Sequence, residues 1–463
     1  MDDFSGYLSP FSWRYGSQAM RSIWSERRKR ELWRGLWVSL AKVESEFGIV
    51  DEAQVGELAA RAKDVDFGRS LEIEAEIKHD LMAEIKAFAE QCPGAGGIIH
   101  LGATSMDIED NADALRVRDS LDLLLGKIDK LLCIFAEKIK AYADLPVMAF
   151  THIQPAEPST LGYRMAVWAQ DVLLARQELK LRRSEAKGKG FKGAVGSSAS
   201  YAELFGAQGL DRFQDRMSQE LGIGFFPVST QTSTRIQEFQ VLSALATLGA
   251  GLHKLAFDLR ILQSPPIGEL SEPFGARQVG SSAMPFKRNP IAAEKIDSLA
   301  RLLASYPSVA WGDASLSLLE RTLDDSANRR VIIPEAFLAA DEIIETAAKI
   351  LGGLVVREEA IRATFRRYAP FACTERVLMA MAKKGADRQE THERLRNHAL
   401  SAWAAMRDGG DNPLSSALAE DPFFRDSLGG EALAALMVSE TYVGDAPKRA
   451  RAFAATLAEA IEG

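Results

Sequence analysis

A polar stretch in the middle of the chain carries the groups that an acid–base reaction needs. It runs from Val279 to Pro290 and reads VGSSAMPFKRNP. It is too rich in Gly, Pro and polar residues for a core helix, so it predicts a loop that presents serine hydroxyls, the Lys287 ammonium and the Asn289 amide to a ligand. Gly280 can act as the hinge of such a loop. An ordinary surface loop is the alternative interpretation.

The six histidines are the other candidates for proton transfer, because an imidazole titrates near neutral pH. None lies in an HExxH pattern or in a tight Cys/His cluster, so we expect no metal site. His253 lies within a heptad pattern, and His392 and His398 lie in a charged helical segment, which favours structural or surface roles. The remaining candidates are His79, His100 and His152.

Gly188, Gly190 and Gly193 spell G-x-G-x-x-G, the pattern of a dinucleotide-binding turn. That turn must follow a strand, whereas this one follows a helical pattern. We therefore reject a dinucleotide site and expect a mobile or closely packed glycine loop.

Three blocks of sequence resemble the fumarase/aspartase superfamily. The loop Val279–Pro290 resembles its G-S-S-x-M-P-x-K-x-N-P signature, Phe150–Ala156 (FTHIQPA) its Thr-His-x-Gln-Pro block, and Gly102–Asp107 (GATSMD) its Gly-x-Thr-Ser-x-Asp block. The likeness extends over nearly the whole chain, from Arg14-Tyr15 to Gly409–Asn412. Three blocks in the correct order make a chance match implausible.

Within the superfamily, three longer stretches resemble the branch that acts on succinyl-amino purine nucleotides. They are Ile98–Asp107, Ser281–Pro290 and Glu320–Arg330. The resemblance implies an all-α enzyme that eliminates fumarate from such a nucleotide without a cofactor or metal.

This β-elimination needs a base, an acid and stabilisation of a doubly charged carbanion. The resemblance implies that His152, backed by Glu294, protonates the leaving purine nitrogen, and that Ser281 removes the proton from carbon. Lys287 and Asn289 suit stabilisation of the carbanion, because they offer positive charge and a hydrogen-bond donor. A serine hydroxyl is a weak base, and the sequence does not reveal what activates Ser281.

An anionic nucleotide calls for cationic and hydroxyl-bearing ligands. By resemblance, the remaining positions that line the nucleotide and succinyl pockets are Arg14, Tyr15, Lys78, His79, Asp80, Thr104, Ser105, Gln154, Gln231, Ser282, Met284, Arg321, Ser326 and Arg330. The resemblance also implies a homotetramer in which three subunits build each active site.

Two positions depart from the pattern of the superfamily. Lys78 stands where members commonly have Arg before His-Asp, and Lys295 follows Glu294 where some relatives have Arg. Lys keeps the charge but loses the planar fork, so we expect an effect on affinity or nucleotide preference rather than on the reaction.

Two rival functions share the same scaffold. Another lyase of the superfamily, such as an argininosuccinate lyase or a cycloisomerase, would not need the phosphate ligands Arg14-Tyr15, Ser326 and Arg330. A catalytically silent structural tetramer would not need His152 and Ser281.

Long helices are the elements that must position these groups. One predicted helix ends near Pro146 and carries a heptad seam formed by Leu121, Leu125, Ile128, Leu132, Phe135 and Ile139. A second helix is predicted from Thr160 to about Lys187, and a third carries leucines from Leu245 to Leu262 before Pro265-Pro266. We find no set of alternating segments that would build a sheet.

Breaks in the helical pattern suggest three domains. We predict an N-terminal helical domain at 1–104, a central long-helix bundle at 105–356 that contains the loop 279–290, and a C-terminal helical domain at 357–463. Long helices of this kind bury more than one side, which favours oligomerisation.

Composition narrows the class of protein. Hydrophobic residues make up 47% of the 463 and the net charge is -8, which argues against a broad surface for nucleic acid. The basic cluster at 27–34 shares one helix with apolar residues and is typical of a solvated face. Three distant cysteines do not suggest disulfides, and no apolar run suggests a membrane span. We therefore expect a cytoplasmic protein.

Overall fold

The regular structure is almost entirely helical. The computed structural model describes residues 5–462. In chain order its helices and strands are α1 Pro10–Trp13, α2 Gln18–Ile23, α3 Glu26–Glu46, α4 Glu52–Arg61, α5 Phe67–Ile77, α6 Asp80–Gln91, α7 Ser105–Ala141, β1 Pro146–Thr151, β2 Gln154–Thr160, α8 Leu161–Glu185, α9 Ala199–Phe205, α10 Leu210–Leu221, α11 Ile236–Gln263, β3 Leu270–Ser271, α12 Ile291–Ser315, α13 Ser326–Gly352, β4 Val355–Val356, α14 Glu358–Lys383, α15 Arg388–Arg407, α16 Leu414–Glu420, α17 Pro422–Leu428, α18 Gly430–Leu436 and α19 Ala446–Glu462. Short 3₁₀ turns lie at Gly96–Ile98, Ala207–Gly209 and Ser439–Thr441.

The three long helices predicted from the sequence are confirmed. The heptad seam lies in α7, where Leu121, Ile128, Leu132, Phe135 and Ile139 are buried. The second prediction corresponds to α8, and the third to α11, which ends at Gln263 before the two prolines. All six leucines predicted for the seam of α11 are buried.

The helical fold class is confirmed, but the expectation that no segments would build a sheet needs one correction. Within residues 5–462, β1 and β2 form an antiparallel hairpin, and β3 pairs with β4 over two residues each. The hairpin escaped prediction because its two-residue turn is His152-Ile153 rather than the Asn-Gly or Asp-Gly that such turns favour. Prolines in β2 also weaken the strand signal.

The chain packs as two compact units, each formed by three stretches of sequence. The first unit comprises the described residues up to Lys127 with Ala175–Ala250 and Leu299–Ile344. The second comprises Ile128–Leu174, Gly251–Ser298 and the chain from Glu345. The unit boundaries fall within α7, α8, α11, α12 and α13.

Each unit has a hydrophobic core of its own. In the first unit, α3 packs on α4 and α10, and the core includes Trp33, Trp37, Phe88 and Phe213. In the second unit, α14–α18 enclose a core of aliphatic and aromatic side chains that includes Phe424. Among the described residues, no helix has both the length and the apolar character that crossing a membrane requires.

Candidate active site

The predicted acid, His152, lies at the tip of the β1–β2 hairpin. Thr151 pairs with Gln154, so His152 and Ile153 are the two central residues of the turn. Their φ angles are 54° and 59°, the left-handed pair that a tight two-residue hairpin turn uses. This region costs an L-residue about 1–2 kcal/mol, and a β-branched Ile is unusual there. Such strain is typical of a functional site.

The strands of the hairpin are packed against helices, whereas its turn is exposed. Met148 and Phe150 of β1 pack against Phe365 and Tyr368 of α14. Arg164 of α8 donates a hydrogen bond of 2.7 Å to the carbonyl oxygen of Met148. The side chain of His152 is exposed, and no hydrogen bond or ion pair ties it to another described residue. The imidazole is therefore held in place through its backbone alone.

The predicted signature loop at 279–290 folds back on itself. Ser281 Oγ accepts hydrogen bonds from the amides of Ala283 at 3.3 Å and Met284 at 3.1 Å. Asn289 Nδ2 donates to the carbonyl oxygen of Gly280 at 3.1 Å, which ties the end of the loop to its start. A Cβ on Gly280 would lie 2.1 Å from the carbonyl oxygen of Lys287, so only glycine fits there.

The loop presents its chemical groups to the exterior. The side chains of Ser282, Met284 and Lys287 are exposed, and Ser281 is half-buried. The two amides that donate to Ser281 Oγ would stabilise negative charge on that oxygen. This is the kind of local support that a serine base requires.

Glu294 lies in the first turn of α12, directly after the loop. Its Oε1 is 3.8 Å from Nη2 of Arg260. No hydrogen bond or ion pair joins it to His152 in the described part of the single chain, so that predicted pairing stays a prediction. The start of α12 is fixed by Glu272, whose carboxylate accepts hydrogen bonds from the amides of Ala292 and Ala293.

Several predicted nucleotide ligands gather in the first unit. Arg321, Ser326 and Arg330 line a small charged cavity of about 90 Å³. Ser326 is the first residue of α13, and a helix start attracts anions. Arg330 Nη2 donates to Asp80 Oδ2 at 2.8 Å, so two predicted ligands are paired directly. The arginines and the serine of this cavity suit a phosphate group, and Glu26 and Asp113 also line it.

Glu109 also lines this cavity without adding charge at neutral pH. Burial, helped by the neighbouring carboxylates of Asp80 and Asp113, raises the pKa of Glu109 to about 8. A protonated carboxyl does not repel a phosphate, and it can donate a hydrogen bond.

The Lys78-His79-Asp80 block forms the junction of α5 and α6. Lys78 ends α5 with a left-handed φ of 58°. His79 caps α6, because its Nδ1 accepts a hydrogen bond of 3.4 Å from the amide of Met82. This leaves the exposed imidazole at the surface with Nδ1 as an acceptor. Asp80 faces Arg330, as described above.

The remaining candidate histidine has a structural role. His100 Nδ1 accepts a hydrogen bond of 3.1 Å from Nε1 of Trp37. Burial lowers the pKa of His100 to about 4, so the ring is neutral at physiological pH. A neutral acceptor inside the core does not serve as a proton donor to substrate.

Thr104 and Ser105 lie at the start of α7, above a buried ion pair that sequence reasoning missed. Asp107 accepts from the amide of Thr104 at 3.0 Å and pairs with Lys189 Nζ, and both side chains are fully buried. The amides of Lys192 and Gly193 also donate to Asp107. The glycine loop is thus closely packed, as one of the two interpretations held. The sequence signal for this ion pair was the presence of Lys189 and Lys192 between the glycines of the loop.

Four further predicted ligands lie on exposed or half-buried turns and strand ends. Arg14 and Tyr15 follow α1, and the Arg14 guanidinium is 6.0 Å from the Tyr15 ring. Gln154 is the exposed first residue of β2. Gln231 donates its backbone amide to the carbonyl oxygen of Glu320 at 3.1 Å, which brings it beside Arg321.

The predicted residues therefore form two groups. The second unit holds His152, Gln154, the loop residues and Glu294, and the first unit holds the remaining predicted ligands. The group in the second unit contains the proton-transfer candidates. The group in the first unit contains the cationic residues suited to a nucleotide.

Comparison with known sequences identifies the family of the chain. A family described as "Lyase" matches residues 39–302, and one described as "Adenylosuccinate lyase C-terminus" matches residues 370–453. The chain is 38% identical to an adenylosuccinate lyase of Saccharomyces cerevisiae, over 98% of this chain and 95% of that one. It is 40% identical to an adenylosuccinate lyase of Schistosoma mansoni, over 92% and 89% of the two chains.

Solved structures support the same fold. A fumarate lyase from Mesorhizobium sp. BNC1 has a TM-score of 0.83 and 26% identity, with 99% of both chains covered. A 3-carboxy-cis,cis-muconate lactonizing enzyme from Pseudomonas putida has a TM-score of 0.85 over 98% of both chains, but its 24% identity supports the fold alone.

Proposed function

Because this chain belongs to the adenylosuccinate lyase family, we propose that it removes fumarate from adenylosuccinate by β-elimination to give AMP. The observation that carries the proposal is the match to full-length adenylosuccinate lyases, combined with retention of the acid, base and phosphate ligands. We also propose the parallel reaction, release of fumarate from SAICAR to give AICAR. Both belong to purine nucleotide biosynthesis.

We assign the acid role to His152 and the base role to Ser281. The hairpin tip supports the first assignment, because it projects an unpaired imidazole that a leaving purine nitrogen can approach. The amides of Ala283 and Met284 support the second, because donors to Ser281 Oγ favour its deprotonated form. Glu294 would orient and charge-stabilise the imidazole in the assembled protein.

Lys287 and Asn289 would stabilise the carbanion. Removal of a proton beside a carboxylate leaves two negative charges on the succinyl group, and fixed positive charge lowers that barrier most in a water-poor site. Closure of the loop over substrate would supply such a site, with Gly280 as the hinge. The exposed ammonium of Lys287 supports this role, because no carboxylate among the described residues neutralises it.

The nucleotide half of the substrate would occupy the cationic group. We propose that Arg321, Ser326 and Arg330 bind the phosphate, and that Arg14, Tyr15, His79 and Gln231 line the rest of the nucleotide site. This proposal favours a nucleotide lyase over a cycloisomerase or an argininosuccinate lyase, because their substrates carry no phosphate for these residues to bind. A silent structural protein would likewise have no use for the strained turn at His152.

We further propose a homotetramer in which each active site takes residues from three subunits. Exposed apolar side chains support association: Val167, Leu174 and Leu181 recur every seven residues along α8 and are 43%, 54% and 43% exposed. A stripe of this kind suits packing against the long helices of other copies. The three cysteines are free and the proposed substrates are intracellular metabolites, so we place the protein in the cytoplasm.

The activity is tested by following fumarate release from adenylosuccinate by absorbance. His152→Ala and Ser281→Ala should each lower kcat at least ~10²-fold while the oligomer stays intact, since each removes a proton-transfer group. His392→Ala, an exposed histidine in α15, is the matched control and should leave kcat unchanged. Near-normal turnover of either active-site variant would remove the role assigned to that residue.

Mixing tests the shared sites. If subunits exchange, a mixture of inactive His152→Ala and Ser281→Ala proteins should regain part of the activity, because some sites then contain neither substitution. A mixture that stays inactive despite confirmed subunit exchange would rule out sharing of these two residues between subunits.

A further inference from the structure

Two segments that carry proposed nucleotide ligands lie side by side in the first unit. The segment 230–233 contains Gln231, and the segment 320–326 contains Arg321 and Ser326. They touch through the backbone, where the Gln231 amide donates to the Glu320 carbonyl oxygen at 3.1 Å. Neither segment belongs to a helix before Ser326, so side-chain contacts must add to this backbone hydrogen bond to fix their relative position.

A single buried guanidinium joins the carboxylates that anchor both segments. Arg235 Nε donates to Asp325 Oδ2 at 2.8 Å, and Arg235 Nη1 donates to Asp110 Oδ1 at 2.9 Å. The side chain of Arg235 is 2% exposed, and those of Asp110 and Asp325 are 0% and 4% exposed. In this setting the ion pairs are poorly screened by solvent.

The second oxygen of each carboxylate holds a site segment. Asp325 Oδ1 accepts from Arg321 Nη1 at 2.9 Å. Asp110 Oδ2 accepts from the Ser233 amide at 2.7 Å, two residues beyond Gln231. Arg235 thus occupies one oxygen of each carboxylate and leaves the other oriented toward a segment that carries a ligand.

We propose that Arg235 is a positioning residue for phosphate recognition, which orients the Arg321 guanidinium through Asp325 and holds the Gln231 segment through Asp110. The inference rests on the proposed function, because Arg321 must contact the nucleotide. Arg235 itself touches neither substrate nor product in this assignment. Its effect therefore falls on ligands that carry a phosphate.

The shape of the guanidinium explains why arginine is needed. Its planar fork directs Nε and Nη1 at two carboxylates at once, whereas a lysine ammonium is a point charge on a flexible stem. Without the fork, the Asp325 carboxylate can rotate about its side-chain bond, and Arg321 loses its fixed acceptor. An Arg321 guanidinium displaced in this way makes a weaker charge-assisted contact with the phosphate.

The test is the Arg235→Lys variant, assayed for inhibition by each product separately. AMP carries the phosphate, so its inhibition constant should rise about tenfold, the loss of one charge-assisted hydrogen bond of about 1.4 kcal/mol. Fumarate does not, so its inhibition constant should change by less than about twofold. The KM for adenylosuccinate should rise together with the inhibition constant for AMP, while kcat stays within about threefold of the wild-type value.

Arg34→Lys is the matched control for a loss of stability alone. Arg34 is also fully buried and bonds a carboxylate, Glu84, through Nε at 2.6 Å, but it anchors neither of the two segments. It should lower the melting temperature without separating the AMP and fumarate constants. Equal weakening of both products by Arg235→Lys, or the same split in Arg34→Lys, would overturn the inference.

A double substitution tests whether the effect passes through Arg321. In an Arg321→Lys background, Arg235→Lys should cost AMP binding less than about twofold, because coupled residues are not additive. Additive losses would overturn the inference. If Arg235→Lys does not fold, Asp325→Asn replaces it in both experiments with the same expected split. Absence of fumarate release by the wild-type protein would instead refute the proposed function.

Discussion

Replacement of Gly280 by alanine should disable the signature loop without unfolding the protein. The φ angle of Gly280 lies outside the left-handed region, so the obstacle to a side chain is steric rather than torsional. A Cβ there would lie 2.1 Å from the Lys287 carbonyl oxygen and 3.3 Å from the Cα of Arg288. The loop can accept alanine only if the backbone at Gly280 moves away from the backbone at Lys287 and Arg288.

The size of that movement sets the expected loss of activity. Contacts of a Cβ below 3.0 Å are essentially unknown, so the backbone at 280 and 287 must separate by roughly 1 Å. The same shift displaces Ser281 and Lys287, which flank the contact, and weakens the bond from Asn289 to Gly280. A misplacement of about 1 Å in reacting groups costs up to ~10²-fold in rate, so we expect kcat to fall by about that factor.

Steady-state fumarate release measures the effect, and Gly275→Ala is its control. Gly275 lies in the same exposed segment, but a Cβ there would meet Gln278 at 3.8 Å, an ordinary contact. Gly275→Ala should keep kcat near the wild-type value. Both variants should melt with the wild type, because the loop is exposed and contributes little to the core. A Gly280→Ala enzyme with kcat within about threefold of wild type would refute the reasoning.

Two further predictions concern buried charge in the first unit. The carboxyl group of Glu44 is fully buried with no hydrogen-bond partner among the described residues, and burial raises its pKa to about 8. The folded state then binds a proton that the unfolded state releases, so wild-type stability falls as pH rises from about 4.5 to 8. Glu44→Gln should gain relative stability over that window by about 1.4 kcal/mol per pH unit; a melting-temperature difference that is the same at pH 5 and pH 8 would contradict this. Lys189→Met removes the direct ion-pair partner of the buried Asp107 carboxylate and should cost about 3–5 kcal/mol, whereas Lys187→Met, at an exposed position, should be nearly neutral. Equal melting temperatures for the two lysine variants would show that the Asp107–Lys189 pair is not needed.

The long helices could be predicted because their signal is local. The leucines of α11 recur every three or four residues, and two prolines mark its end, so periodicity alone gave its position. The signature loop was equally visible, because its composition excludes a core helix. In both cases the residues that determine the structure are neighbours in sequence.

The β1–β2 hairpin could not be predicted for the opposite reason. Its turn uses His152 and Ile153, although residues other than glycine rarely adopt a positive φ angle and β-branched residues do so least. The hairpin is stabilised by packing of Met148 and Phe150 on α14, more than 200 residues along the chain. Tertiary contacts outweigh local conformational preference here, and they place the proposed acid, His152, in the turn of the hairpin.

The buried ion pairs were invisible for a related reason. Arg235 bonds Asp110 and Asp325 across separations of 125 and 90 residues, and Lys189 bonds Asp107 across 82. No period links such positions, and each residue alone resembles a surface charge. Resemblance to a family identified the groups that would touch substrate, but only coordinates reveal the groups that hold them.

The contrast between these two sets of residues bears on how the enzyme would work. The anchoring pairs, Asp107–Lys189 and Asp110–Arg235–Asp325, are buried, so they resist rearrangement and fix the backbone that carries the ligands. The proposed proton-transfer groups, His152 and Ser281, lie instead on a strained turn and a folded-back loop, where His152 is exposed and Ser281 is half-buried. A dianionic carbanion needs a dry, charge-lined site, which an exposed tip and loop do not provide by themselves. The chemistry we propose therefore depends on what covers these groups, namely substrate, loop closure and neighbouring subunits, while the single chain supplies the rigid geometry.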